Sequence, residues 1–281
     1  MKPAGNIWIQ GAGELASGVA VRLVRSGYRV VLAETDRPLA VRRLVCFSEA
    51  VYSGRARVED VPGTLAEPSS VEFRSGKVQV VVDPGGALIP ALEVGVVVDA
   101  RMTKKTPENL PHPEVPLIGL GPGFTCGRDA DLIIETHREA RLGMVISTGS
   151  AAANTGVAGL VGGKTGQRVL RAPAAGCLTP LFDIGDIVQE GMVLGHVGGI
   201  PVVSGLTGMI RGLVHPEAEL SPGVKVGDVD PRGSAIDPAQ VTDKALAVGG
   251  GVLEALLRLN ILPDRDNDSG RSASAGRKLT E

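Results

Sequence analysis

The chain has few aromatic residues and almost no net charge. Its 281 residues include one Trp, two Tyr and four Phe, and its formal net charge is −2 at pH 7. Aromatic side chains provide the platforms on which nucleic-acid bases stack, and an excess of positive charge draws proteins to nucleic acids and anionic membranes. Because both features are scarce, we expect neither a nucleic acid nor a membrane as partner.

Cysteine is also scarce, and long apolar runs are missing. Cys46, Cys126 and Cys177 are far apart in sequence and form no CxxC pair. Neither a disulfide framework nor a zinc cluster is therefore expected, and we predict no metal site. No basic and apolar leader follows Met1, and no apolar run approaches the roughly 18 residues of a transmembrane helix. These absences predict a cytoplasmic protein.

Glycine, by contrast, is abundant, and it marks the first motif. The apolar run Ile7–Ile9 leads into a GxGxxA string at 11–16. In dinucleotide-binding units the first glycine permits a tight turn, the second lets the backbone approach a pyrophosphate, and the last small residue lets the helix pack closely on the strand. The string therefore predicts a strand, a phosphate-binding turn and a helix, with these candidate cofactor-binding residues: Gly11, Gly13, Glu14 and Ala16.

A second apolar run, Arg29–Glu34, ends in an acidic residue about twenty positions after the glycine turn. We expect Glu34 to bind the hydroxyl pair of a ribose, with a solvated helix entrance as the alternative. Asp36 and Pro38 predict the N-cap and first position of a further helix. Together these features predict an α/β fold whose N-terminal domain is Rossmann-like, with NAD(P) or another nucleotide as cofactor.

A basic loop follows the next strand-like run in the same half of the chain. Val94–Val98 leads into Asp99, and Arg101 and Lys104 come directly after it. Parallel sheets bind ligands beyond the carboxyl ends of their strands. We therefore expect Arg101 and Lys104 to neutralise a phosphate or carboxylate, and a solvated basic loop is the alternative.

A second glycine loop contains Gly121, Gly123 and Cys126. A thiol beside Arg128 is expected to have a depressed pKa, which suits a residue that carries sulfur or selenium or holds a metal-pterin cofactor. The alternative interpretation is an inert small residue. All three residues are candidates for cofactor binding.

The second half of the chain contains an internal repeat. Gly176–Val197 and Gly208–Val229 align without a gap, and each copy is too small to bury a face alone. The pattern resembles the barrel-sandwich fold of biotinyl and lipoyl carrier domains. Such domains carry a modified lysine on the hairpin between their halves, but here that hairpin, at 198–203, contains no lysine. Covalent biotin or lipoate at this hairpin is therefore excluded.

The 281 residues are enough for two domains, and the 43% hydrophobic content is enough to form their cores. Near their junction, Asp228, Asp230 and Arg232, beside Lys225, predict either local ion pairing or a ligand contact. The glycine run at 249–251 is costly inside a helix and predicts close packing against another element.

The predicted organisation has four parts. The first is a Rossmann-like α/β domain at 1–166 with its core at 5–104, and the second is an all-β barrel-sandwich domain of two half-repeats at 167–233. A C-terminal helical segment at 234–263 packs back on the α/β domain, and a disordered tail follows at 264–281.

Several longer strings together resemble one protein family. The chain is similar to YqeB-type accessory proteins of the selenium-dependent molybdenum hydroxylase system, which are related in role to the XdhC-type maturation factors of xanthine dehydrogenase. The resemblance implies a Rossmann domain and a role in supplying molybdenum cofactor to a hydroxylase apoprotein. It covers nearly everything except the tail and is carried by these strings: GAGELASG (11–18), PLAVRRLVCFSEAVYSG (38–54), GLGPGF (119–124), IIETHR (133–138), KVGDVDPRG (225–233) and TDKALAVGGGVLEA (242–255).

Three hypotheses of function follow from these observations. The first is a maturation factor that binds a nucleotide or the molybdenum cofactor in a Rossmann crevice and passes it on, with or without loading sulfur or selenium. The second is an NAD(P)-dependent oxidoreductase, although no Tyr/Lys or His/Asp catalytic pair has a recognisable spacing. The third is a non-catalytic docking module for the hydroxylase.

Overall fold

A computed structural model of the chain describes residues 5–105, 114–154, 156, 163–164 and 166–263. The predicted disordered tail lies outside these residues. The α-helices are α1 (Glu14–Arg25), α2 (Glu49–Ser53) and α3 (Asp243–Arg258). The strands are β1 (Asn6–Gln10), β2 (Arg29–Glu34), β3 (Arg55–Val58), β4 (Val61–Leu65), β5 (Val78–Val82), β6 (Val96–Asp99), β7 (Leu117–Leu120), β8 (Leu132–Ile134), β9 (Val145–Ile146), β10 (Val169–Arg171), β11 (Leu178–Pro180), β12 (Ile187–Val188), β13 (Val193–Val197), β14 (Ile200–Val203), β15 (Gly208–Leu213) and β16 (Lys225–Asp230).

The first nine strands form one mixed sheet in the order β3-β4-β5-β2-β1-β6-β7-β8-β9. All neighbouring pairs from β4 to β8 are parallel, and the pairs β3–β4 and β8–β9 at the two edges are antiparallel. Without the edge hairpin and β9, the order β5-β2-β1-β6-β7-β8 follows the 3-2-1-4-5-6 pattern of doubly wound dinucleotide-binding sheets. The chain is thus α/β in this half, and membership of the Rossmann class stays a prediction.

The two faces of this sheet are covered differently. Ile7 and Ile9 of β1 belong to the core that contains α1 and α3, whereas Trp8 belongs to the core on the opposite face. Within the described ranges, no α-helix contributes to that second core, which is closed instead by loops and a short 3-10 helix at Ile89–Ala91. β1 is buried along its whole length because it is covered on both faces, as its uninterrupted apolar run requires.

Helices α1 and α3 pack side by side and run in the same direction. Gly18 lies against Ala245, and one turn later Arg22 lies against Gly249, so both contacts advance together along the two helices. Gly251 lies against the carbonyl of Gly143, where a Cβ would overlap that oxygen. Gly249 and Gly251 therefore provide the close packing that the glycine run predicts, against α1 and against the sheet.

The internal repeat forms two smaller sheets, β10-β16-β15-β12 and β11-β13-β14. Gly176 pairs with Leu220, and the matching residues of the repeat, Gly208 and Val188, pair in the same way. Each half therefore contributes its first glycine to a bridge with the other half, and the two halves share one apolar core. The classification as a barrel-sandwich domain stays a prediction.

One local expectation in the N-terminal half is wrong. No α-helix begins at Asp36–Pro38; residues 35–42 are irregular and lead into a 3-10 helix at Arg43–Val45. After α2 the chain forms the β3–β4 hairpin, whose tight turn is Glu59–Asp60. None of the described helices combines the length and the apolar character needed to cross a membrane.

Candidate binding cleft at the carboxyl edge of the sheet

The predicted glycine turn lies where β1 ends, next to the loop that follows β6. Gly11 has a φ of +100°, and a Cβ there would lie 3.2 Å from the carbonyl carbon and oxygen of Ala100. Only glycine combines this left-handed backbone with so close an approach. The turn therefore brings the segment after β1 against the segment after β6 at the carboxyl edge of the sheet.

Gly13 precedes the first residue of α1 and leaves that end of the helix exposed. Its φ is −70° and its ψ is −172°, and no atom lies within 4 Å of the position of a Cβ. No side chain caps the first turn of α1. Ala16, in contrast, is buried in the core, which matches the close packing expected of it. The free N–H groups of this first turn are suited to bind an anion.

Glu34 holds the glycine turn in place. One carboxylate oxygen accepts a hydrogen bond of 2.8 Å from the backbone N–H of Ala12, and the other accepts one of 2.8 Å from the N–H of Thr35. The Glu34 side chain thus lies at the glycine turn, where we expected it to bind a ribose, and it stabilises the backbone of that turn. Ribose binding by Glu34 stays a prediction.

Arg101 and Lys104 follow β6 at the same edge. The Arg101 guanidinium forms an ion pair with Asp99, a residue that is 1% exposed, at a distance of 2.5 Å. Met102 and Lys104 have φ values of +55° and +64°, which are uncommon for residues other than glycine. Such strained backbone occurs preferentially at functional sites, so the segment after β6 is consistent with a ligand-binding loop.

The second glycine loop packs against this segment. Gly121, with a φ of +72°, lies against Thr136 and Met102, and a Cβ on Gly123 would lie 2.6 Å from the carbonyl oxygen of Lys105. The loops that follow β6 and β7 are therefore in direct contact. Gly121 and Gly123 serve this contact, and cofactor binding by either of them stays a prediction.

Cys126 does not have the reactive thiol that its neighbour Arg128 suggested. Burial raises the pKa of the Cys126 thiol, and the negative charge of Asp131 raises it further. Arg128 does not oppose this shift because its guanidinium is paired with Asp129 at 2.8 Å. The expected depression of the Cys126 pKa is therefore wrong, and the interpretation as an inert small residue is the better one.

Glu14 joins the first turns of α1 and α3. Its carboxylate accepts a 2.8 Å hydrogen bond from the hydroxyl of Thr242, the residue that caps α3 by accepting from the N–H of Ala245. The guanidinium of Arg42 lies 3.5 Å from the same carboxylate oxygen. Because α1 and α3 run in parallel, the positive ends of both helix dipoles face the same side of the molecule.

A cleft of about 490 Å³ opens beside the first turn of α3, between the large sheet and the repeat domain. Three arginines contribute to its walls: Arg138 follows β8, Arg211 belongs to β15, and Arg232 follows β16. The complete lining is Arg138, Arg211, Arg232, Ala235, Ile236, Asp237, Gln240, Val241, Thr242 and Asp243.

Two basic groups around this cleft, Arg211 and Lys244, have lowered pKa values. Burial lowers the pKa of Arg211, and the nearby positive charge of Arg42 lowers it further. Burial likewise lowers the pKa of Lys244, with further contributions from Arg138 and Lys104. Lys104, although exposed, is thus close enough to the start of α3 to lower the pKa of Lys244. An anion bound here would reverse these shifts.

The structure brings some of the predicted residues together and leaves others apart. Gly11, Gly13, Glu14 and Glu34 meet at the glycine turn, and Arg101 begins the segment that packs on it. Cys126 lies in a different loop and hydrogen-bonds to the carbonyl of Asp131. No group of three potential metal ligands occurs among the residues that the structure describes.

Arg138 and Arg211 are site residues that sequence reasoning missed, whereas Arg232 was marked as a possible ligand contact at the domain junction. The three arginines come from separate segments that only the packing of the two domains brings together. No spacing in the sequence links them, so the one available signal was the position of Arg232 after the second repeat.

Among known proteins, the chain is similar to YqeB of Escherichia coli K12, which is described as an uncharacterized protein. The two are 43% identical over 262 residues, which is 92% of this chain and 48% of the relative. The chain thus spans about half the length of that relative. This similarity supports the resemblance to YqeB-type proteins but provides no information on a role in molybdenum hydroxylase maturation. No protein-family model matches the chain.

Among solved structures, short segments align with an aspartoacylase family protein from Mesorhizobium loti and with a succinylglutamate desuccinylase/aspartoacylase from Rhodobacter sphaeroides. The identities are 18% and 17%, and the alignments cover 22% and 23% of this chain and 22% of each solved chain. The TM-score is 0.21 in both cases, so neither likeness bears on fold or function.

Proposed function

We propose that this protein is a cytoplasmic accessory factor that binds a phosphate-bearing cofactor, either a nucleotide or the molybdenum cofactor, and supplies it to a selenium-dependent molybdenum hydroxylase of the xanthine dehydrogenase type. The observation that carries the ligand class is the pair of parallel helices α1 and α3, whose first turns lie together at the carboxyl edge of the sheet, where Glu14 accepts a hydrogen bond from Thr242. The pathway is supported by the resemblance of the sequence strings to YqeB-type proteins.

Phosphate groups fit this edge for a physical reason. The first turn of a helix presents backbone N–H groups without partners and a partial positive charge, and both favour an anion. At α1, Gly13 leaves the approach to these donors open, and no side chain caps them. Two helices side by side add their fields at one place, which strengthens the attraction.

The residues at the turn define what the chain would do with such a ligand. Gly11 and Gly13 would let the backbone contact the phosphates, and Glu34 has remaining lone pairs for a ribose hydroxyl while it holds the N–H of Ala12. Arg101 and Lys104 are candidates for a second anionic group of the ligand. The bound cofactor would supply its own chemistry, and the protein would bind, orient and shield it.

A binding panel tests this proposal against the two alternatives. Purified protein is titrated calorimetrically with NAD, NADP, ADP and isolated molybdenum cofactor, and hydroxylase apoprotein is tested in parallel for association and activation. We expect saturable binding of at least one phosphate-bearing ligand and activation of the apoprotein that depends on the cofactor. Turnover of NAD with a small substrate would instead favour the oxidoreductase, and hydroxylase binding without any small ligand would favour the docking module.

A further inference from the structure

Three arginines from two domains converge on the interdomain cleft, beyond the glycine turn. Arg138 belongs to the α/β domain, whereas Arg211 and Arg232 belong to the repeat domain. Each arginine is held by a carboxylate: Arg138 by Asp243 and the other two by Asp230. Their guanidinium groups are therefore fixed at the cleft wall before any ligand arrives.

The two arginines at the repeat-domain wall are paired unequally with the carboxylate of Asp230. Arg232 makes a two-pronged contact with Asp230, with distances of 2.9 Å from Nε to one oxygen and 2.7 Å from Nη2 to the other. Arg211 approaches the same carboxylate only to 3.6 Å, and its buried Nε has no hydrogen-bond partner among the described residues. Two guanidinium groups thus share the single carboxylate of Asp230, which is fully buried. Arg211 is thus the more weakly paired of the two guanidinium groups at this wall.

The opposite wall of the cleft contains the third arginine and the first turn of α3. Arg138 binds Asp243 through Nη1 and Nη2, at 2.6 and 2.7 Å, and its Nε has no hydrogen-bond partner within the described part of the chain. Asp243 is the first residue of α3, so the positive end of that helix lies at the same wall. Asp237 also lines the cleft, but one oxygen of its carboxylate accepts the N–H of Ala239.

We infer that this cleft is a phosphate-binding site in which Arg138, Arg211 and Arg232 together hold the phosphate of a monoester or free inorganic phosphate. Arginine suits this ligand because its planar guanidinium places several donors in a fork that matches phosphate oxygens. Because the arginines come from both domains, the bound phosphate would also join the α/β domain to the repeat domain. The inference goes beyond the proposed function, since it requires neither a particular cofactor nor a hydroxylase partner.

The test is a calorimetric titration of the full chain with inorganic phosphate, followed by phenyl phosphate to distinguish free phosphate from a monoester. We expect Arg211→Gln and Arg232→Gln each to weaken phosphate binding by at least about tenfold, the usual effect of losing a charge-assisted contact. The matched control is Arg128→Gln, which removes an exposed arginine paired with Asp129 in a different loop and should change the affinity less than about twofold. The absence of saturable phosphate binding, or equal affinity in all three variants, would overturn the inference.

Two further variants separate loss of binding from loss of fold and from failure of the proposed function. Arg211→Lys keeps the charge but not the fork, so we expect an affinity between those of the unchanged chain and Arg211→Gln, with an unaltered thermal unfolding transition. Gly13→Asp places a carboxylate at the glycine turn and should leave the arginine-dependent phosphate site intact. Loss of that site in Gly13→Asp would show that the cleft and the turn are not separate sites and would contradict the inference.

Discussion

Gly18 of α1 and Ala245 of α3 lie so close that a Cβ on Gly18 would be 2.6 Å from the Cβ of Ala245. This contact allows two helices to run side by side in the same direction, with their first turns together at the carboxyl edge of the sheet. Since that edge also carries the glycine turn and borders the arginine-lined cleft, a packing contact between two small residues positions the whole candidate site.

The first prediction tests this contact. Gly18→Ala should lower the free energy of unfolding by about 1–2 kcal/mol, because the added methyl overpacks a rigid interface. The matched control is Gly250→Ala in α3, where no atom lies within 4 Å of a Cβ and where alanine should stabilise the helix by about 0.5–1 kcal/mol. Urea unfolding of both variants provides the measurement. Stabilisation by Gly18→Ala would show that the helices are not packed as described.

The second prediction concerns the ion pair between Arg138 and Asp243. The hydrogen bonds from Arg138 lower the pKa of Asp243 from 3.8 to about 2. Because this carboxyl has a lower pKa in the folded state, the pair stabilises the fold above pH 3.8, and that contribution is lost as the pH falls to about 2. Arg138→Gln should raise the pKa of Asp243 towards 3.8, which a carboxyl-carbon NMR titration would record.

The control for this experiment is Arg258→Gln, which breaks a pair with Glu254 at the opposite end of α3 and should leave the pKa of Asp243 unchanged. An unaltered Asp243 titration in Arg138→Gln would mean that the start of α3, and not Arg138, sets the pKa. In that case Arg138 would not be fixed at the cleft wall by this carboxylate.

The third prediction concerns thiol reactivity. Because burial and Asp131 raise the pKa of Cys126, its reactive thiolate form is scarce at neutral pH, whereas Cys177 is exposed and Cys46 is buried. Brief alkylation with iodoacetamide should therefore modify Cys177 first, Cys126 slowly and Cys46 only after unfolding. Peptide mass spectrometry would show the order, and faster modification of Cys126 than of Cys177 would restore its candidacy as a carrier of sulfur or selenium.

Local sequence signals anticipated the central part of the fold well. The runs at Ile7–Ile9 and Arg29–Glu34 lie in strands because they are apolar, rich in β-branched residues and flanked by glycine or polar residues. The helix expected after Asp36 does not form. Instead, Arg42 in that segment is drawn into the domain junction, where it donates to the carbonyls of Pro238 and Gln240. Contacts across the domain junction therefore outweigh the local signal for a helix start at Asp36 and Pro38.

Long-range features were harder to predict. The β3–β4 hairpin turns at Glu59, which takes a φ of +53° without being glycine, so its turn has no composition signal. The cleft brings Arg138 together with residues that lie more than 70 positions later in the chain, and two of its arginines share the buried Asp230. The repeat and the glycine turn after β1 are encoded locally, but the convergence of charges from separate domains depends on how the domains pack.

The role of the glycine turn is tested most directly by a charge at Gly13. The backbone there has the extended geometry of an N-cap and open space around it, so aspartate fits and should cap α1, which preserves or slightly raises thermal stability. The same carboxylate would occupy the N–H donors and repel a phosphate. Gly13→Asn adds a cap of the same shape without the charge and is the matched control.

Calorimetric titration of the unchanged chain, Gly13→Asn and Gly13→Asp with ADP, NAD and isolated molybdenum cofactor is therefore the decisive measurement. We predict that the ligand bound by the unchanged chain binds Gly13→Asp at least about tenfold more weakly, and Gly13→Asn with an intermediate affinity. Equal affinity of a folded Gly13→Asp chain and the unchanged chain would contradict the proposal that the first turn of α1 binds the phosphate of a cofactor.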